Sequence, residues 1–336
     1  MHCHLLIPDF LTGAVTEAAG RLGAAETLIA RGRRRRLAAI SPEQWLFERF
    51  EVPKQRDWPV APCTLLADGG IPDEHFWLRA DPVHLGFERD RLIFADSAVF
   101  ELSRAEAEAL VETLNRHFGE AMLFYPLRPE RWYVRLGRAP DMETIPPSAV
   151  RGKAIGACLP AGADAMRFHS LMNEAQMLLH EHPVNVGREA RGEPAINSVW
   201  FWGGGSIDLP KIRPFTTVIG NDPLASGLAQ AAGIPSRALP RNAASLLDAT
   251  AGEGVALIVL DALRQAAGYA DAMRLREQRA ALERDWLEPL RVALQSGRIG
   301  MLSLHLPGED ALLEVEIVRA DLRYFWRRRK PLSVYV

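Results

Sequence analysis

Lysine is nearly missing from this chain. Of 40 Lys+Arg residues only Lys54, Lys153, Lys211 and Lys330 are lysines, so positive charge is carried by guanidinium groups that stay ionised and grip anions with two hydrogen bonds. Net charge is equally scarce. Against 42 Asp+Glu the formal balance is −2, too small for a global field that would hold the protein on a polyanion or an anionic membrane. The three cysteines, Cys3, Cys63 and Cys158, are far apart and form no C-x-x-C pair, which excludes a disulfide framework or zinc knuckle and suits a reducing cytoplasm. No apolar run approaches the roughly 20 residues of a spanning helix. The first residues lack a basic region, and Pro8 and Asp9 interrupt the apolar Leu5-Leu6-Ile7, so no signal peptide is expected. Nucleotide fingerprints are also absent: Gly203-Gly204-Gly205 is followed by Ser206-Ile207-Asp208, which fits neither G-x-G-x-x-G nor a P-loop and predicts a tight turn.

What is present is a globular composition. With 336 residues, 48% of them hydrophobic and 24% charged, the chain can bury a large core and has length for about two domains. A strand is expected over residues 3–7 and a helix over 15–30. Arg31 and Arg33 to Arg36 then form a basic cluster with no interleaved aromatic residue, read as a solvated helix end rather than a nucleic-acid site. Ser41-Pro42-Glu43-Gln44 has the form of an N-cap with proline at the first helical position, predicting a helix over 42–50.

Residues 70–140 read as a ββαββ unit. Extended segments at 77–85 and 91–95 flank polar 88–90, and Ser103-x-x-Glu106 caps a helix whose Leu110, Val111, Leu114 and Phe118 share one face. Strands at 121–125 and 131–136 follow, and Pro140, Pro146 and Pro147 mark the exit. Beyond a helix over 164–182, apolar strands (198–202, 216–220, 236–239, 255–260, 300–304) alternate with helices at 223–232, 243–249 and 271–295, the last kinked or restarted by Pro289. This alternation predicts an α/β core with a mostly parallel sheet, helices on both faces and ligands at the carboxyl ends of its strands. The expected division is 1–69 and 151–336 as the two parts of the core and 70–150 as an α+β insert.

Several polar residues invite functional readings. His2 and His4 share a strand face; His180 and His182 diverge on a helix. Arg79 and His84 face opposite sides of their strand, and Arg79 is the candidate for anion contact. Trp200 and Trp202 share one face of a strand expected to be central. The basic and aromatic segment Arg323 to Lys330 is read as docking its rings while its charges face water.

Taken in order, Leu6-Ile7-Pro8-Asp9, Trp77-Leu78-Arg79-Ala80-Asp81, Phe124-Tyr125-Pro126 and Asn197-Ser198-Val199-Trp200-Phe201-Trp202-Gly203-Gly204-Gly205 resemble archaeal-type cofactor-independent phosphoglycerate mutases of the alkaline phosphatase superfamily. Ala80-Asp81-Pro82-Val83-His84-Leu85 and Trp200-Phe201-Trp202-Gly203-Gly204 are also similar to bacterial RpfE-type regulatory proteins. The resemblance implies an alkaline-phosphatase-like fold and, in active members, two divalent ions such as manganese or zinc that activate a Ser or Thr nucleophile. The matching positions are thinned: Asp9, Asp261 and His305 are the candidate metal ligands, and Leu304 stands where the family has Asp before His. Ser41 is the candidate nucleophile, with the N-cap role as the simpler reading. Asp222, Asp248 and Asp271 are positions that could replace lost ligands. The expectation is a cytoplasmic regulatory or binding protein on a degenerate mutase scaffold, with a metal-dependent phosphotransfer enzyme as the alternative. A phosphorylated small molecule or a protein is the expected partner, with nucleic acid disfavoured and no membrane.

Overall fold

The computed structural model describes residues 1–12, 21–88, 91–119, 122–151, 155–208, 210–249, 254–269 and 271–336. The first half of the helix expected at 15–30, the turn at 89–90 and Ala121 lie outside them. Two compact units result, Met1–Glu51 with Pro210–Val336, and Val52–Leu209 between these segments.

The first unit opens with β1 (His2–Leu6), α1 (Gly23–Arg31), β2 (Arg33–Ala38) and α2 (Pro42–Arg49). Ser41 caps α2, its hydroxyl accepting from the Gln44 amide at 3.0 Å with Pro42 in the first turn, as the sequence motif requires. The basic run Arg33 to Arg36 is not a helix end: it is an exposed strand that pairs antiparallel with a later strand, because Gly32 leaves α1 in extended conformation and arginine stems tolerate a solvated sheet edge.

The second unit comprises α3 (Val60–Ala67), β3 (Phe76–Glu88), β4 (Arg91–Ala95), α4 (Arg104–Phe118), β5 (Leu123–Arg128), β6 (Arg131–Leu136), α5 (Pro147–Val150), α6 (Ala165–His180), α7 (Pro183–Ala190) and β7 (Ser198–Gly205). The capping box is formed, with Ser103 Oγ accepting from the Glu106 amide and Glu106 accepting from the Ser103 amide, and Ala107, Leu110, Val111 and Leu114 are buried. The expected insert of 70–150 is wider in the structure. β7 pairs antiparallel with β3 rather than joining the parallel sheet, and Phe168, Met172, Ala175 and Leu179 of α6 bury in the same core as Trp200 and Phe201. β7 is therefore an edge strand of a five-stranded antiparallel sheet, not a central strand.

The triple glycine is explained by packing. Gly203 has φ +64°, and a Cβ there would lie 2.9 Å from Val60 Cβ; one on Gly204 would lie 2.6 Å from Leu78 Cδ2. Gly203→Ala should cost about 1–3 kcal/mol from backbone strain and this clash. A denaturant titration of the variant measures it, and an unchanged midpoint would contradict the packing role.

Returning to the first unit, the chain adds β8 (Thr217–Ile219), α8 (Pro223–Ala231), β9 (Ser236–Arg237), α9 (Ala243–Ala249), β10 (Val255–Val259), α10 (Leu263–Gly268), α11 (Ala272–Leu282), α12 (Glu288–Ser296), β11 (Met301–Pro307) and β12 (Ala311–Val318). The seven-stranded sheet has the order β2-β12-β11-β1-β10-β8-β9, parallel from β11 to β9 and closed by an antiparallel β12 and β2. This is the mostly parallel α/β sheet anticipated. Pro289 sits in the first turn of α12, and the break falls just before it as a π-helical turn, Glu283–Leu287, which absorbs the amide hydrogen bond that proline cannot make. β1 alternates: Cys3, Leu5 and Ile7 enter an apolar core with α1, α9 and α12, whereas His2 and His4 occupy the other face. Cys3, Cys63 and Cys158 are all buried free thiols. Among the described residues no helix is long and apolar enough to cross a membrane.

Candidate functional site

In a parallel sheet the loops leaving the carboxyl ends of the strands meet at one edge. Leu6 of β1 pairs with both Val259 of β10 and His305 of β11, and Ile219 of β8 pairs with Ile258, so Asp9, Asp222 and Asp261 all follow strands that end at that edge. Asp9 adopts the left-handed region at φ 60°, where Asp is tolerated better than most residues, and its amide donates to the Pro307 carbonyl at 3.3 Å. Asp222 is the N-cap of α8, accepting from the Ala225 amide at 2.8 Å, and Glu43 lies in the first turn of α2, so both carboxylates face positive helix ends.

A cation already stands among these carboxylates. Arg264, in the first turn of α10, places Nη2 2.5 Å from Glu43 Oε1 and Nη1 3.8 Å from Asp222 Oδ2. Burial alone would raise the Glu43 carboxyl, but the charge and hydrogen bond of Arg264 pull it below its ordinary value. For Asp222 burial wins over Arg264, and its pKa rises; Asp261 is raised by burial too. Arg264 itself is raised despite burial, held ionised by Glu43, Asp222 and Asp9. Asp9, Glu43, Asp222 and Asp261 supply hard oxygens, but a guanidinium that cannot deprotonate occupies their midst and would repel a second cation. The residues do not fit a divalent metal. Among the described residues, no group of three or more His, Cys, Asp or Glu side chains is arranged to hold one.

The hydrogen bonds of His305 are to residues other than Asp9 and Asp261: its ring bonds to Glu314 and His4. It lies on the sheet face beneath α2, where Nδ1 meets Glu314 Oε1 at 3.0 Å and Nε2 meets His4 Nδ1 at 2.9 Å. Since a carboxylate only accepts, His305 donates from Nδ1 and accepts at Nε2 from His4. His2 adds a contact to Ser303 Oγ at 2.9 Å, and Trp45 of α2 covers His305 at a ring distance of 4.5 Å. Glu314 is 2% exposed, and besides His305 it takes Arg49 at 2.6 Å and Arg35 at 2.7 Å. The side-chain alternation of β11 turns residue 305 onto this face, whereas the carboxylates sit beyond the strand ends.

Arg79 is also displaced from its expected role. Its register partners are Tyr133 on β6 and Trp202 on β7, so its guanidinium is sandwiched 5.3 Å and 5.1 Å from those rings. Nε and Nη2 donate to Asp81 Oδ1 at 3.0 and 2.6 Å, and Trp202 Nε1 donates to the other Asp81 oxygen at 2.7 Å. With Arg79 4% exposed and Asp81 7%, this is an internal ion pair rather than an anion contact. Asp248 bonds to Arg298 and Asp271 caps α11, so of the three substitute carboxylates only Asp222 joins the cluster. Glu43 and Arg264 were missed as site residues. Glu43 was visible only as part of a cap, and an isolated arginine in Leu263-Arg264-Gln265 carries no spacing signal.

Residues 70–185 match the family described as 2,3-bisphosphoglycerate-independent phosphoglycerate mutase. That segment lies wholly within the second unit and contains none of the carboxylates around Arg264. A 2,3-bisphosphoglycerate-independent phosphoglycerate mutase of Methanosarcina barkeri is 36% identical over 125 residues, which is 36% of this chain and 30% of that protein. A probable enzyme of the same description from Geobacter sulfurreducens is 31% identical over 160 residues, 47% of this chain and 39% of its own length. The matches thus span less than half of these curated relatives. A solved protein structure from Pyrococcus horikoshii superposes with a TM-score of 0.56 at 13% identity, covering 94% of this chain and 87% of that one, a likeness of fold. Part of the chain is therefore related in sequence to cofactor-independent phosphoglycerate mutases, on an α/β scaffold.

Proposed function

We propose that the chain is a cytoplasmic regulatory or binding protein of the RpfE type, built on a phosphoglycerate-mutase-like scaffold and without mutase turnover. The observation that carries this reading is Arg264 seated against Glu43 and Asp222: a fixed monovalent guanidinium supports the carboxylates but activates no nucleophile and bridges no transferring phosphoryl group. Supplying the purified protein with Mn²⁺ and 3-phosphoglycerate and following 2-phosphoglycerate should give no interconversion. Turnover would overturn the reading.

A second reading keeps phosphotransfer, favoured by the position of exposed Ser41 at the start of α2 next to Glu43. On that reading a phosphoserine forms at Ser41 and Ser41→Ala abolishes activity. As a cap alone, Ser41→Ala costs about 1 kcal/mol of stability and no phosphoserine is found.

A further inference from the structure

We infer that the edge of the large sheet is a binding surface for single-stranded nucleic acid, formed by β2 and residues 321–336. The sequence argued against such a role for Arg33 to Arg36 because no aromatic residue accompanies them. The fold supplies the missing rings. Arg31 Nη1 donates to the Leu322 carbonyl at 2.7 Å, Arg327 Nη1 donates to the Arg31 carbonyl at 2.8 Å, and Arg36 Nη1 donates to the Val336 carbonyl at 3.3 Å. Arg34 lies over the Tyr335 ring at 5.5 Å. Two basic clusters about 300 positions apart thereby become one surface.

Its chemistry has two parts. Arg34 and Arg36 are exposed on one side of an extended strand, about 6.8 Å apart, a spacing suited to a linear polyanion, and Arg33 is exposed on the other side. Arg327, Arg328 and Arg329 are exposed beside them, and the single acid of residues 321–336, Asp321, is buried and accepts from the Val318 amide. Next to these charges the rings form a ladder. Arg327 covers Tyr324 at 4.7 Å, Tyr324 meets Trp326 at 5.2 Å, and Trp326 meets Phe325 at 5.2 Å. Phe325 is 76% exposed and Trp326 63%, so two large aromatic rings face water. Exposed rings on which unpaired bases stack, beside guanidinium groups that pair with phosphates, are the elements of single-strand recognition. Duplex DNA hides its base faces and would use only the charges.

Fluorescence anisotropy with a fluorescein-labelled oligo-dT of about 15 nucleotides tests this, with a duplex of equal length and phosphatidylserine vesicles as comparisons. The expected result is single-strand binding that weakens as salt rises, preferred over the duplex. Phe325→Ala with Trp326→Ala should weaken it about tenfold or more. Arg328→Ala should flatten the log–log salt slope by about 0.7. Because these side chains are exposed, the variants should melt as the parent does. No oligonucleotide binding at low salt, binding indifferent to the ring variants, or binding to vesicles alone would overturn the assignment.

Discussion

Arg264→Ala is expected to lose about 3 kcal/mol of folding stability at neutral pH. Removing one partner of a buried ion pair leaves the other charge desolvated, which costs about 3–5 kcal/mol, and the lower end applies because the Arg264 side chain keeps 24% exposure. Glu43 carries most of the effect. With Arg264 present its folded pKa lies below the unfolded value, so this contribution exists above about pH 4.5 and disappears as the pH falls through the folded pKa. Without Arg264, burial raises Glu43 as it already raises Asp222 and Asp261, and the carboxyls protonate instead. The gap between variant and parent should therefore narrow in acid. Mn²⁺ should raise the melting temperature of Arg264→Ala, in which Glu43 and Asp222 have lost their guanidinium partner, and leave the parent unmoved. A variant as stable as the parent at pH 7 would remove Arg264 from its assigned place.

The second large effect is loss of stability below pH 6.5. Burial comes first among the causes that lower His4, to about 3, and it lowers His2 and His305 as well. Glu314 and Glu316 oppose this, while Arg49 and the Met1 amino group reinforce it. These rings are neutral in the folded protein and protonate in the unfolded chain below about 6.5, so the unfolded state binds more protons and stability falls with pH from about 6.5 toward 3. His4, kept neutral, contributes a slope of about 1.4 kcal/mol per pH unit within that window, and His2 and His305 act in the same direction. Glu314, lowered chiefly by its hydrogen bond from His305, adds loss in the same direction below its unfolded pKa. Urea titrations from pH 7 to 4 should show the decline, and His4→Gln should make it shallower by about one proton. A flat profile would contradict neutral burial of the rings.

The parts of this protein legible in its sequence were those set by local chemistry. The capping motifs at Ser41 and Ser103 and the alternating strands and helices gave the α/β sheet and the ββαββ order. The shared face of His2 and His4 followed from strand geometry. What failed depended on partners distant in the chain. β7 looked like a core strand because Trp200, Phe201 and Trp202 are apolar, but pairing with β3 took it into the other unit. Arg79 looked available until Tyr133, Trp202 and Asp81 enclosed it. β12 was not anticipated, although Leu313, Val315 and Ile317 alternate with Glu314 and Glu316 at strand period. Asp9 and Asp261 were singled out by the resemblance to the mutases, whereas Arg264 acquires meaning only from Glu43, about 220 residues away.

Metal content after exposure to manganese tests the central assignment most directly. The purified chain is incubated with excess Mn²⁺, desalted and analysed by mass spectrometry beside Arg264→Ala. The parent should retain no stoichiometric manganese, because the guanidinium fills the carboxylate cluster, and the variant should retain more. One or two manganese ions per parent chain would contradict Arg264 as the resident cation and restore the metalloenzyme reading.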